Sequence, residues 1–96
     1  MVVGVCRITL AIPEGADLKG KRSVVKRVIH RVRGEFNVAM AEVDDNDIWQ
    51  TAVLGFAAVG NDHRFVNSVM DKVVSFIQDL YLAEVEDYTH EILHLL

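Results

Sequence analysis

The residues that most resemble a chemical site are near the end of the chain, where His90-Glu91-Ile92-Leu93-His94 spells H-E-x-x-H. On a helix this spacing stacks two imidazoles so that they converge on one Zn²⁺, with the glutamate as general base of a metallopeptidase. On a strand the same letters lose that geometry. Four residues of extended chain cover about 13 Å, and two nitrogens that must each lie about 2 Å from one ion cannot meet across it. No third ligand accompanies the pattern. The sequence therefore predicts two exposed histidines on a strand, with no metal centre.

Other constellations fare no better. Glu42, Asp44, Asp45 and Asp47 crowd into "EVDDNDIW". Oxygen-rich clusters bind Mg²⁺ or Ca²⁺, and paired carboxylates do acid–base work. This stretch lacks the glycine and late glutamate of a calcium loop, and Asp and Asn are what a hairpin turn is built from. Cys6 falls mid-strand on the core face, as inert packing; as the single cysteine it excludes an internal disulfide and any cysteine-based zinc framework. Ser23 and His30 lie too far apart on one helix to share a proton, and no phosphate-binding glycine loop or nucleophile elbow occurs. The expectation is a non-enzymatic chain with no catalytic residue and no cofactor.

Charge is more informative. Residues 1–33 carry eight Lys/Arg against two acids, and residues 34–96 carry two against twelve, so the net −4 hides a basic segment. Within "LKGKRSVVKRVIHRVRG" no acid offsets Lys19, Lys21, Arg22, Lys26, Arg27, Arg31 and Arg33. At about 100° per residue, Lys19, Arg22, Lys26 and Arg33 share one flank of a helix. Arg27 and Arg31 take the other. Lys21 falls near the apolar stripe, where its stem can pack while its ammonium reaches solvent. Like charges so close repel, and several sit near the helix N-terminus, where the macrodipole disfavours cations. An anionic ligand explains that arrangement. Lys19, Lys21, Arg22, Lys26 and Arg33 are the expected phosphate- or RNA-binding residues. Without base-stacking aromatics of the RRM kind, contact falls on the backbone, and no DNA specificity is expected.

The elements that position these residues follow from periodicity. Residues 2–12 alternate as a strand, with Val2, Cys6, Ile8, Leu10 and Ile12 on one face and Val3, Val5, Arg7 and Thr9 on the other. Asp17 caps a helix over 18–33 that Gly34 closes. Residues 37–44 form a second strand, "DDND" (44–47) a turn, and 48–60 a third strand, apolar on both faces and hence central. Asn61 or Asp62 caps a second amphipathic helix to about Leu80, and residues 82–95 alternate as a fourth strand. The order βαββαβ predicts one α+β domain over residues 1–96: a ferredoxin-like four-stranded antiparallel sheet with both helices on one face. The other face stays open. Val3, Val5, Val53, Ala57 and Val59 on it predict a protein partner or a homodimer.

The 96 residues, 51% apolar and 25% charged, suit such a domain. No apolar run approaches the roughly 18–20 residues of a membrane span, and "MVVGVCRITL" has no basic leader, so a cytoplasmic protein without signal peptide is expected.

Three stretches carry a family resemblance: "LKGKR" at 18–22, "FNVAMAEVDDNDIWQTAVLG" at 36–55 and "GND" at 60–62. Together they resemble the YlxP-like family of small bacterial cytoplasmic proteins of unknown function. Family members usually carry Glu at the position of Gly20 and often a basic residue at that of Ser23. The resemblance implies a ferredoxin-like fold, and no enzymatic activity is established for the family. Its gene context, beside translation-initiation and ribosome-binding factors, implies the small ribosomal subunit as a partner. Lys19, Lys21 and Arg22 carry over as binding residues. Asn37, Glu42, Asp44 and Trp49 carry over as motif positions without a role, Trp49 being expected to pack at the start of the third strand.

Overall fold

Strand β1 (Val2–Ala11) buries alternate residues, Val2, Gly4, Cys6, Ile8 and Leu10, and leaves Arg7 exposed between them. That alternation means one face is covered by helices. Pro13 and Gly15, the latter at φ 82°, turn the chain into α1 (Leu18–Glu35). The Asp17 carboxylate caps this helix, accepting the Gly20 N–H at 2.8 Å. Gly34 does not end it. The helix continues to Glu35, and Phe36 leaves in extended conformation while its N–H still bonds the Val32 carbonyl at 2.8 Å.

Strand β2 (Ala39–Asp44) and strand β3 (Thr51–Gly60) pair antiparallel, joined by residues 45–50. The third strand therefore begins later than residue 48, and Trp49 lies in the connection, 38% exposed, not in the strand. Helix α2 (His63–Leu80) is capped by Asp62, which accepts the Phe65 N–H at 2.9 Å, and ends at Tyr81 in the left-handed region. Strand β4 (Glu84–His94) closes the chain. The computed structural model describes residues 1–45 and 47–96; Asn46 of the expected "DDND" turn lies outside them.

The sheet order is β2-β3-β1-β4, antiparallel throughout. Both helices cover one face, giving the expected ferredoxin-like α+β sandwich. Ile8, Leu10, Leu54, Val28, Val32, Met70, Val73 and Ile77 form the dry centre between sheet and helices. At one end α2 comes unusually close to the sheet. A Cβ on Gly4 would lie 2.7 Å from Val66 Cγ1, and one on Gly60 2.8 Å from Val66 Cγ2. Glycine at both positions is what admits the β-branched Val66. Where α1 leads into β2, Phe36 meets Phe76 of α2 edge-on, with centroids 5.4 Å apart, a contact worth about 1 kcal/mol beyond the area it buries.

Candidate nucleic-acid interface

Helix α1 presents its cations as the amphipathic pattern requires, with one exception. Lys19, Arg22, Lys26, Arg27, Arg31 and Arg33 are all exposed, and among the described residues no carboxylate forms an ion pair with any of them. Lys19, Arg22, Lys26 and Arg33 run along one flank for about 21 Å at 1.5 Å per residue. A shallow groove of about 400 Å³ follows the lower part of this flank, lined by Lys26, Ile29, His30 and Arg33 on α1 and by Met40, Ala41 and Glu42 on β2. Arg33 is partly engaged, its Nη2 donating to the Met40 carbonyl at 2.6 Å.

Lys21 is the exception, and the expectation for it is overturned. It is 1% exposed, the largest fully buried side chain among the described residues. Its spacing from Val25, Val28 and Val32 places it on the buried row of the helix, not beside it. The ammonium donates to the carbonyl oxygens of Asp45 and Ile48, the latter at 2.6 Å, and lies 3.0 Å from Glu42 Oε2. That last contact is ionic and lacks hydrogen-bond angles, so Glu42 Oε2 is buried without a hydrogen-bond donor. Lys21 thus serves as an internal cation for the connection between β2 and β3 and cannot reach an external phosphate.

The motif residues around that connection answer to each other. Arg7, on the open face of β1, reaches across Gly55 to Asp44, with Nη2 2.9 Å from Oδ2. The Asp45 N–H donates to Asp44 Oδ1 at 2.9 Å. That backbone bond, and then the Arg7 guanidinium, hold the Asp44 carboxyl below its usual range. The Thr51 hydroxyl donates to Asp45 Oδ2 at 3.1 Å. The acidic turn is therefore tied down by one lysine, one arginine and one threonine. Among the described residues no group of three or more His, Cys, Asp or Glu is placed to hold a metal ion. Asn37 is exposed between α1 and β2.

The open sheet face differs from expectation at one residue. Val3, Val5 and Ala57 are half-buried and Val59 is 63% exposed, but Val53 is 4% exposed and offers nothing to a partner. The register places Leu93 beside Val3, and the bulge between Glu42 and Asp44 brings Val43 over Gly55. Both are exposed, so the apolar patch extends onto β4 and β2.

His90 and His94 both lie on β4, as the strand reading of H-E-x-x-H requires. His90 is half-buried, and His94 is exposed with its Nε2 2.9 Å from His63 Nδ1 at the start of α2. That partnership had no signature in the sequence. Cys6 is buried, which pushes its thiol up to about 11 and leaves it un-ionised at neutral pH.

The family model for proteins of unknown function called DUF503 matches residues 3–90. The uncharacterized protein YlxP of Bacillus subtilis (strain 168) is 33% identical over 76 residues, which cover 79% of this chain and 83% of YlxP. Among solved structures, the de novo designed ferredoxin-fold protein LFR1 1 superposes with a TM-score of 0.55 at 19% identity, covering 99% of this chain and 87% of the design. The structural-genomics protein YJCS gives 0.53 at 15% identity, with 96% and 99% covered. These likenesses establish the fold. The match across almost the whole chain and the similarity to YlxP establish the lineage: the chain belongs to the DUF503 family of proteins of unknown function.

Proposed function

We propose that this protein is a non-enzymatic, cytoplasmic RNA-associated protein that holds phosphates along the exposed flank of α1, with structured RNA of the small ribosomal subunit as its partner class. The supporting observation is that six exposed cations on one helix have no ion-pair partner among the described residues. A helix shaped only for stability would intersperse acids at i and i+4. The binding set is Lys19, Arg22, Lys26 and Arg33, without the buried Lys21. The phosphate backbone is the ligand, because among the described residues no row of exposed aromatics accompanies these cations.

A salt series of binding to structured RNA and small ribosomal subunits tests this, with a Lys19/Arg22/Lys26→Ala variant beside the wild type. Four phosphate contacts on single-stranded segments give a log–log slope of about −3. The triple variant removes three of the four contacts and flattens the slope to about −1. Absence of binding at low salt refutes the proposal.

A second reading has its own observation. Val43, Val59 and Leu93 are exposed around Val3 and Val5 on the open sheet face. A second copy covering that face gives a homodimer without a nucleic-acid role. Sedimentation then shows a salt-insensitive dimer that Val59→Glu dissociates.

A further inference from the structure

The geometry points to a two-histidine site for a divalent transition metal, formed by His63 and His94 at the end of the sheet where α2 begins. The topology brings the two residues to one corner. Val2 pairs with Gly60 on one side and with His94 on the other, so the exit of β3 into α2 and the end of β4 flank the same strand start. His63, the first residue of α2, and His94, the last of β4, lie across that corner, both exposed.

Their rings are 10° from parallel, with centroids 5.1 Å apart and Nδ1 of His63 only 2.9 Å from Nε2 of His94. The centroid separation exceeds the nitrogen separation by nearly a full imidazole diameter. Face-to-face stacking cannot produce that difference. The rings lie almost in one plane, nitrogen to nitrogen, each aiming its in-plane lone-pair axis at the other. In the metal-free protein one N–H fills the gap, donated by one ring and accepted by the other.

A metal would displace that shared proton and sit beside the line joining the two nitrogens, about 1.2 Å from it. Two imidazole nitrogens each about 2.0–2.1 Å from a tetrahedral ion are separated by about 3.3 Å. Reaching that from 2.9 Å needs a few tenths of an ångström of separation and a swing of each exposed ring by roughly 35°, so that its lone pair leaves the partner nitrogen and points at the ion. Imidazole selects borderline ions, Zn²⁺, Ni²⁺ and Cu²⁺, over Mg²⁺ or Ca²⁺. The chain supplies two ligands and water completes the shell. His90 does not contribute, because it lies four residues back along β4, about 13 Å away. The helix N-terminus opposes a cation here, and the neighbouring Asp62 carboxylate, itself the helix cap, offsets that field. Metal binding would clasp the first turn of α2 to the last residue of β4.

The test is a Zn²⁺ titration of the whole chain, following the imidazole Hε1 signals of His30, His63, His90 and His94 by NMR and the thermal midpoint in parallel. The expected result is saturable movement of the His63 and His94 signals together, with His30 and His90 still. At a hundredfold excess over the dissociation constant the midpoint rises by roughly 11–22 °C. His63→Ala and His94→Ala each weaken binding by about tenfold or more, because the second ligand no longer closes intramolecularly; His90→Ala leaves it unchanged. The site is refuted if no signal saturates by millimolar Zn²⁺, if His94 responds equally in the His63→Ala protein, or if His90→Ala abolishes the response. Both histidines are exposed, so the variants fold.

Discussion

Replacing Lys21 by Met keeps most of the buried hydrocarbon and removes the ammonium, which isolates what that charge contributes. Three oxygens lose their cation: the carbonyls of Asp45 and Ile48, and Glu42 Oε2. Breaking a buried ion pair by removing one member costs about 3–5 kcal/mol, and each hydrogen bond to a charged donor about 1.5–3 kcal/mol. These costs overlap. The Glu42 side chain retains 20% exposure but its Oε2 is buried, so water relieves only part of the loss. The expected destabilisation is about 3 kcal/mol, near the lower end of the range. For a domain of this size that lowers the thermal midpoint by roughly 12–24 °C. Far-UV circular dichroism over temperature and a urea titration measure it. A Glu42→Gln substitution in the Lys21→Met background should recover part of the loss by removing the orphaned charge. A Lys21→Met protein within about 1 kcal/mol of wild type would refute the internal-cation assignment, because no buried ammonium with three oxygen partners is that dispensable. RNA affinity of the folded variant should be unchanged, since Lys21 is enclosed.

Three further outcomes follow from particular contacts. Gly4→Ala brings a methyl to 2.7 Å from Val66 Cγ1, and overpacking against so stiff a side chain costs about 1–3 kcal/mol in urea denaturation. Tyr81 holds φ 54° at the end of α2 while 88% exposed; Tyr81→Gly relieves that conformation and raises stability by about 1 kcal/mol, read from the same titration. Asp44 has a depressed carboxyl in the folded state, so its stabilisation is complete above the unfolded value of about 4 and disappears as pH falls through the folded one. Asp44→Asn should therefore be less stable at neutral pH and show a shallower decline on acidification, measured as thermal midpoint against pH.

The fold was legible because its strands and helices announce themselves by different periods. Residues 2–12 alternate, 63–80 repeat at helical spacing, and β3 is apolar on both faces because it lies between β2 and β1. The helix end was misjudged at Gly34 because glycine there meets open space and an unstrained backbone, so nothing forces a stop. Lys21 was misjudged for a deeper reason. Its position relative to Val25, Val28 and Val32 was a core position, but a basic residue in a basic segment reads as surface. What draws it inward is a set of oxygens from residues 42, 45 and 48, brought within reach only by the β2–β3 connection. The His63–His94 pair and the Arg7–Asp44 bridge share that character, joining residues 31 and 37 positions apart through sheet register. Val53 lies on the face that alternation assigns, and its burial depends on the surrounding chain, which alternation does not describe.

The bond from Arg33 to the Met40 carbonyl bears on how these molecules can meet one another. Arg33 borders both the groove beside α1 and the depression on the open face around Ala39, Ala41 and Ala57, so its guanidinium stands at the outer margin of β2. An edge strand offers its unpaired backbone to any passing chain, and proteins blunt such edges with charge, brevity and bulges. β2 has all three: six residues, a register shift between Glu42 and Asp44, and a cation seated on the carbonyl of its second residue, Met40. A neighbouring strand extending the sheet from this side would first have to displace the guanidinium and then accept a positive charge at its own margin. Self-association through β2 into a continuous sheet is thereby guarded against, and β4, the eleven-residue strand at the opposite edge, is where a strand could still be added.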